Sequence, residues 1–120
     1  MFNNFGVNLT HSIDDTDRAT VAMIVANAAA ASGKNTIVFL TSEGVRLAVN
    51  GVADTIHEEG LTPMAELVEN FLAAGGVFWV CPPCFNKRGY KETDLIRGAT
   101  LAGGAKLVEF LSNNGTSVSF

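Results

Sequence analysis

The sequence predicts an α/β fold: a three-layer α/β/α sandwich with a mainly parallel five-stranded sheet. Three observations carry this expectation. Apolar runs of strand length alternate with segments of helical period, the order that builds βα units around a parallel sheet. The run Thr36-Ile37-Val38-Phe39-Leu40 is β-rich and continuously apolar, as a central strand covered on both faces should be. The chain is 48% apolar and only 17% charged, against about a quarter charged in ordinary soluble domains. Strands buried on both faces and subunit contacts both lower the need for charge, and both are expected here.

The elements follow in order. Phe5 to Thr10 reads as the first strand. Asp14, Asp15 and Asp17 offer helix N-caps, and Val21, Ile24, Val25, Ala28 and Ala29 fall on one helical face before Gly33 ends the helix. Thr36 to Leu40 is the second strand. Thr41 to Val49 turns into a short helix stopped by Asn50-Gly51, and the weak pattern from Val52 to Gly60 reads as a loop or irregular excursion. Thr62-Pro63 opens a helix with Met64, Leu67, Val68, Phe71 and Leu72 on one face, closed by Gly75-Gly76. Val77 to Cys81 is the third strand, with Phe78 and Trp79 on opposite faces. Ala99 to Ala102 is a short fourth strand, Ala105 to Leu111 the last helix, and Thr116 to Phe120 a C-terminal strand.

At 120 residues the chain can bury one hydrophobic core, so residues 1–120 are expected to form a single domain. Polar residues interrupt every apolar run before the roughly 18 needed to span a bilayer, which predicts no membrane association. The N-terminal Met1-Phe2-Asn3-Asn4-Phe5 lacks the basic and apolar regions of a signal peptide. A cytoplasmic protein with reduced cysteines is therefore expected. A net charge of -4, a pI near 5.0 and the lack of a Lys/Arg cluster argue against nucleic acid as a partner.

Both cysteines stand in Cys81-Pro-Pro-Cys84, directly after the apolar run Val77-Phe78-Trp79-Val80. A free thiol with a pKa near ~8.5 is mostly protonated at neutral pH, so position must activate it. The segment from Pro82 to Gly89 can form one helical turn with proline at its first position. Open N–H groups there, together with Lys87 and Arg88, would favour a thiolate. Against this stands the inert buried cysteine, the commoner fate of an isolated one. In an open α/β sheet, reactive groups collect beyond the carboxyl ends of the strands. That rule gathers His11-Ser12, Ser42-Glu43-Gly44, Cys81 to Cys84 and Gly103-Gly104 on one edge.

His11 is the residue best suited to assist a thiol there, although it could equally bond a nearby backbone group. His57, beside Glu58-Glu59, reads as a solvated loop residue. One C-x-x-C pair without a partner pair does not make a zinc site, and neither a metal nor a cofactor is expected. The aspartates at 14, 15 and 17 are accounted for by helix capping. Ser42-Glu43-Gly44 lacks the spacing of a phosphate loop.

Cys81, the Lys87-Arg88-Gly89 corner, Asp94-Leu95-Ile96-Arg97-Gly98 and the closing Ser117-Val118-Ser119-Phe120 together resemble the DsrE/DsrF-like family, which includes TusD- and YchN-like proteins. Phe39-Leu40, Glu43-Gly44-Val45, Ala48 and the Gly75-Gly76-Val77 entry to the cysteine strand extend the resemblance over essentially the whole chain. It implies a small α/β sandwich that assembles into homo-oligomers, often trimers or hexamers. In the sulfur-relay branch, a cysteine at the position of Cys81 carries sulfur as a persulfide between a donor and an acceptor protein. Cys84 is additional to that single cysteine, and C-x-x-C spacing favours a disulfide once one thiol is activated.

Three functions follow as expectations. In the first, the protein is a sulfur carrier or sulfurtransferase-like protein with Cys81 as nucleophile, Arg88 and Lys87 supporting the anion, and Cys84 resolving it. The second is a dithiol redox protein using the Cys81/Cys84 pair. The third is a non-catalytic oligomeric module that binds a ligand at the strand ends.

Overall fold

The structure, a computed structural model, describes residues 3–120; Met1 and Phe2, the start of the segment read for a signal peptide, lie outside them. The chain runs β1 (Asn4–Leu9), α1 (Thr16–Ala31), β2 (Asn35–Leu40), a 3₁₀ segment (Ser42–Ala48), a 3₁₀ turn (Ala53–Thr55), α2 (Met64–Ala73), β3 (Val77–Val80), α3 (Pro82–Lys87), a second 3₁₀ turn (Glu92–Asp94), β4 (Ala99–Leu101), α4 (Gly104–Ser112) and β5 (Gly115–Ser119). The five strands lie in the order β4-β3-β2-β1-β5, and every pair is parallel. The mainly parallel sheet read from the sequence is here wholly parallel.

Alternation along the strands builds two unequal layers. Val7, Leu9, Val38, Leu40, Phe78 and Val80 are fully buried in one cluster with the core residues of α1 and α2. There Phe71 meets Phe78 edge-on, with ring centroids 5.2 Å apart. On the other face, α4 covers the sheet. Trp79 packs edge-on against Phe110 at 5.2 Å, Lys106 stands over the Trp79 ring, and the absent side chain of Gly6 leaves room for Leu111. No residue of α4 is fully buried, so this second layer is the thinner one.

The face of α1 differs from the expectation. Ala19, Ala22, Met23, Ala26, Ala29 and Ala30 turn to the core, while Val21 and Ile24 are exposed and Val25 is half-buried. The reason is that α1 is apolar almost all round, so periodicity cannot choose a face. Alanines on the sheet side let the helix approach closely, and the larger Val21 and Ile24 are left outside.

Where β2 ends, the chain packs back on its neighbour. Thr41 N–H donates to the Leu9 carbonyl at 3.2 Å, and Gly44 sits against that same carbonyl so tightly that a Cβ would run into its oxygen. Only glycine permits this approach. The 3₁₀ segment is thereby pressed onto the carboxyl edge of the sheet, with Val45, Leu47 and Ala48 fully buried. Among the described residues no helix is long and apolar enough to cross a membrane.

Gly44→Ala is expected to lower the unfolding free energy by about 1–3 kcal/mol, the usual cost of forcing a methyl group into a filled site. In the same urea titration, Val108→Ser, at a side chain 65% exposed, should change it by no more than about 0.5 kcal/mol.

Candidate functional site

The site begins where β3 leaves the core. Val80 is fully buried, and Cys81 is the first residue beyond the strand, its N–H still bonded to the Leu40 carbonyl at 3.0 Å. Cys81 is the N-cap of α3, with proline at the first two helical positions. Phe85, fully buried, anchors the helix in the core, its N–H bonded to the Cys81 carbonyl at 3.0 Å. Gly89, at φ +80°, ends the turn in a conformation that suits glycine.

This geometry brings the two thiols together. The prolines carry no N–H, so the first backbone donor of α3 is that of Cys84, and it points to the Cys81 sulfur. The Cys81 and Cys84 side chains hydrogen-bond to each other, and the Ser42 N–H points to the Cys84 sulfur. Ser42 holds a positive φ of 53°, unusual for a residue with a side chain and a form of strain that accumulates at functional sites. Both cysteines are half-buried and free.

Positive charge is delivered by a bridged network. Arg88 donates from Nε to Glu43 Oε2 at 2.8 Å and from Nη1 to the Cys84 carbonyl at 3.0 Å. Glu43 Oε1 accepts from Arg46 Nε at 2.7 Å, and Arg46 Nη1 donates to the Tyr90 hydroxyl at 2.8 Å. Arg46 and then Arg88 hold the Glu43 carboxyl below its ordinary range. A carboxylate with a lowered pKa stabilises the fold fully above its unfolded value, and that contribution is lost as pH falls through the folded one.

The two thiols are unequal. Burial, reinforced by the hydrogen bond to Cys84, pushes the Cys81 thiol up from its ordinary value. Burial acts against the Cys84 thiolate as well. There it is outweighed by the Ser42 N–H, the Cys81 thiol, Arg88 and Lys87, and Cys84 lies below its ordinary value. The cations and the Ser42 donor favour the second sulfur over Cys81, the nucleophile expected from the sequence. The two sulfurs are hydrogen-bonded, so their ionisation belongs to the pair rather than to either residue alone.

Of the residues singled out from the sequence, Cys81, Cys84, Arg88 and Lys87 converge. His11 sits at the same sheet edge but bonds through Nδ1 to Asp14 Oδ2 at 2.7 Å, and among the described residues neither cysteine is its hydrogen-bond partner. His57 bonds the Leu61 carbonyl at 3.1 Å in an exposed loop. The aspartate cluster divides: Asp15 is the N-cap of α1 and accepts from the Arg18 N–H, whereas Asp14 serves His11. Ser42 and Glu43 belong to the edge gathered from the sequence but carry no expected role toward the thiols, and the sequence does not single out Arg46 or Tyr90. The spacing of Glu43 and Arg46 on a helical segment carries a pairing signal. No group of three or more potential metal ligands stands together among the described residues.

The sequence model of the DsrE/DsrF-like family matches residues 3–120. The protein MJ0989 of Methanocaldococcus jannaschii is 33% identical over 116 residues, which cover 97% of this chain and 98% of that relative. MK0008 of Methanopyrus kandleri is 29% identical over 104 residues, covering 87% of this chain and 83% of its own. In three dimensions the YchN protein of E. coli superposes with a TM-score of 0.80 over 100% of both chains at 20% identity, a likeness of fold.

Peptide-resolved iodoacetamide labelling against pH should show Cys84 ionising at lower pH than Cys81. Arg88→Met removes a cation that favours both thiolates, so both midpoints should rise. Unchanged midpoints would remove Arg88 from the site.

Proposed function

The chain belongs to the DsrE/DsrF-like family, and from that premise we propose that it is a sulfur carrier or sulfurtransferase-like protein that holds sulfane sulfur as a persulfide on Cys81. The observation that carries this reading is the hydrogen-bonded thiol pair at the carboxyl edge of β3. Cys84, the more acidic member, takes the proton of Cys81. The resulting Cys81 thiolate accepts the Cys84 N–H and lies in the field of Arg88. It attacks the outer sulfur of a donor persulfide R–S–S–H, forming Cys81–S–S–H and releasing R–S⁻, which recovers the proton from Cys84. No net oxidation occurs.

Cys84 also gives the adduct a way to end. Its thiolate can attack the Cys81 sulfur, expel hydrosulfide and leave a Cys81–Cys84 disulfide. The same contact supports a second reading, a dithiol redox protein whose disulfide forms and opens at a potential of roughly -120 to -270 mV, the range of known oxidoreductases.

The reading extends to the whole chain as one domain, cytoplasmic, with sulfur donor and acceptor proteins as partners and a homo-oligomer, a trimer or hexamer, as the working form. The second apolar stripe of α1, with Val21 and Ile24 exposed, and Val108 on α4 at 65% exposure support assembly, because an all-round apolar helix ordinarily finds cover.

Incubation with a persulfide donor should add about 32 Da, one sulfur atom, to the Cys81 peptide. Cys81→Ser should abolish the adduct and Cys84→Ser should prolong it. Absence of the adduct, with a reversible intramolecular disulfide in its place, would favour the redox reading.

A further inference from the structure

Asp14 has no task in capping α1, because Asp15 accepts the Arg18 N–H at 3.1 Å and also pairs with the Arg18 side chain. Both oxygens of Asp14 are turned instead to the loop that leaves β1. Oδ1 accepts the Ser12 N–H at 2.8 Å, and Oδ2 meets His11 Nδ1 at 2.7 Å. These bonds, from the Ser12 N–H and then from His11, overcome a burial effect of opposite sign and keep Asp14 below its ordinary range, so it is an acceptor. An acceptor at Nδ1 places the imidazole proton there and leaves the Nε2 lone pair open. The Ser12 side chain is wholly buried with its hydroxyl unpaired among the described residues. Asp14, rather than Ser12, is therefore what fastens the loop by polar contacts.

The loop stands on the edge that carries the thiols. Thr41 N–H bonds the Leu9 carbonyl and Cys81 N–H bonds the Leu40 carbonyl, so the exit of β1 lies two strand spacings, about 10 Å, from the backbone of Cys81. The Cys81 proton already has an acceptor in Cys84. Once Cys81 is loaded, the Cys84 thiolate is the group that would end the adduct as a disulfide, so a base outside the pair is what would let a second thiol from solution take the sulfur instead.

We propose that His11 is the general base that deprotonates the acceptor thiol taking sulfur from Cys81, with Asp14 as its positioning residue; the proposal rests on the persulfide reading. His11 Nε2 removes the proton of R–S–H. The thiolate R–S⁻ attacks the outer sulfur of Cys81–S–S–H, an R–S–S–H bond forms, and the sulfur–sulfur bond to Cys81 breaks. Cys81 leaves as a thiolate, receives the Cys84 N–H, and takes back a proton from the His11 imidazolium. Two sulfur–sulfur bonds exchange and no electron acceptor is required.

The test uses the full chain, first loaded with sulfur on Cys81 and then mixed with excess acceptor, the loss of the adduct being followed by mass spectrometry. Dithiothreitol serves as a protonated acceptor and thionitrobenzoate as one already ionised. His11→Gln should slow transfer to dithiothreitol about 10²-fold, the lower end of general-base contributions, and change transfer to thionitrobenzoate less than about twofold. Asp14→Asn should fall between wild type and His11→Gln for dithiothreitol. The ¹⁵N shifts of His11 should report the Nδ1–H tautomer in the wild type and a mixture in Asp14→Asn. Equal rates for wild type and His11→Gln with dithiothreitol, or an equal loss with both acceptors, would overturn the proposal. So would an Nε2–H tautomer in the wild type. Failure of Cys81 to load in the wild type would instead overturn the persulfide reading on which this rests.

Discussion

The carboxylate of Glu43, gripping Arg46 and Arg88 at once, is the interaction on which the thiol edge depends. It joins two excursions that have no backbone ladder between them, the 3₁₀ segment beyond β2 and the helix beyond β3. Ion pairs this exposed are each worth only about 1 kcal/mol or less, so their value is chiefly positional. With Nε committed to Glu43 and Nη1 to the Cys84 carbonyl, the Arg88 guanidinium cannot swing away from the sulfurs. Gly44, the next residue, keeps the same segment pressed on β1. The carboxylate that fixes the cation and the Ser42 donor are thus delivered from the strand next to the cysteines.

From this arrangement follows the inequality of the two thiols. More of the favourable groups are aimed at Cys84, whereas at Cys81 burial and the hydrogen bond to Cys84 outweigh the Cys84 N–H and Arg88. An inert pair would require neither, because two buried thiols pack without charge. A hydrogen-bonded pair can pass a proton from Cys81 to Cys84 and so deliver a nucleophile at Cys81. Lying just beyond β3, Cys81 also takes its geometry from a rigid strand rather than from a mobile loop.

Much of this was legible from the residues. Continuous apolar runs such as Ile37 to Leu40 marked doubly covered strands, and Pro82 with Gly89 marked the bounds of the short helix after β3. The strand-end rule then placed His11, Ser42 to Gly44 and Cys81 on one edge. The face of α1 was not legible, because alanine, valine and isoleucine surround the helix and the small size that favours the sheet side does not show in an apolar-or-polar pattern. The charge network was hidden for another reason. Glu43 and Arg88 are 45 positions apart, and only the adjacency of β2 and β3 brings them together. The relative acidity of the cysteines depends on that same long-range contact and on a single backbone N–H. Asp14 was absorbed into helix capping because three aspartates in four positions were equally good caps by residue type.

The central claim is that Glu43 sets the reactivity of the pair by placing Arg88. A double-mutant cycle read on the ionisation of Cys84 tests it most directly, with ultraviolet thiolate absorbance measured against pH in the wild type, Glu43→Gln, Arg88→Met and the double variant. The account predicts that Glu43→Gln raises the Cys84 midpoint while Arg88 is present and leaves it unmoved once Arg88 is gone. An equal shift from Glu43→Gln in both backgrounds, or no shift in either, would contradict it.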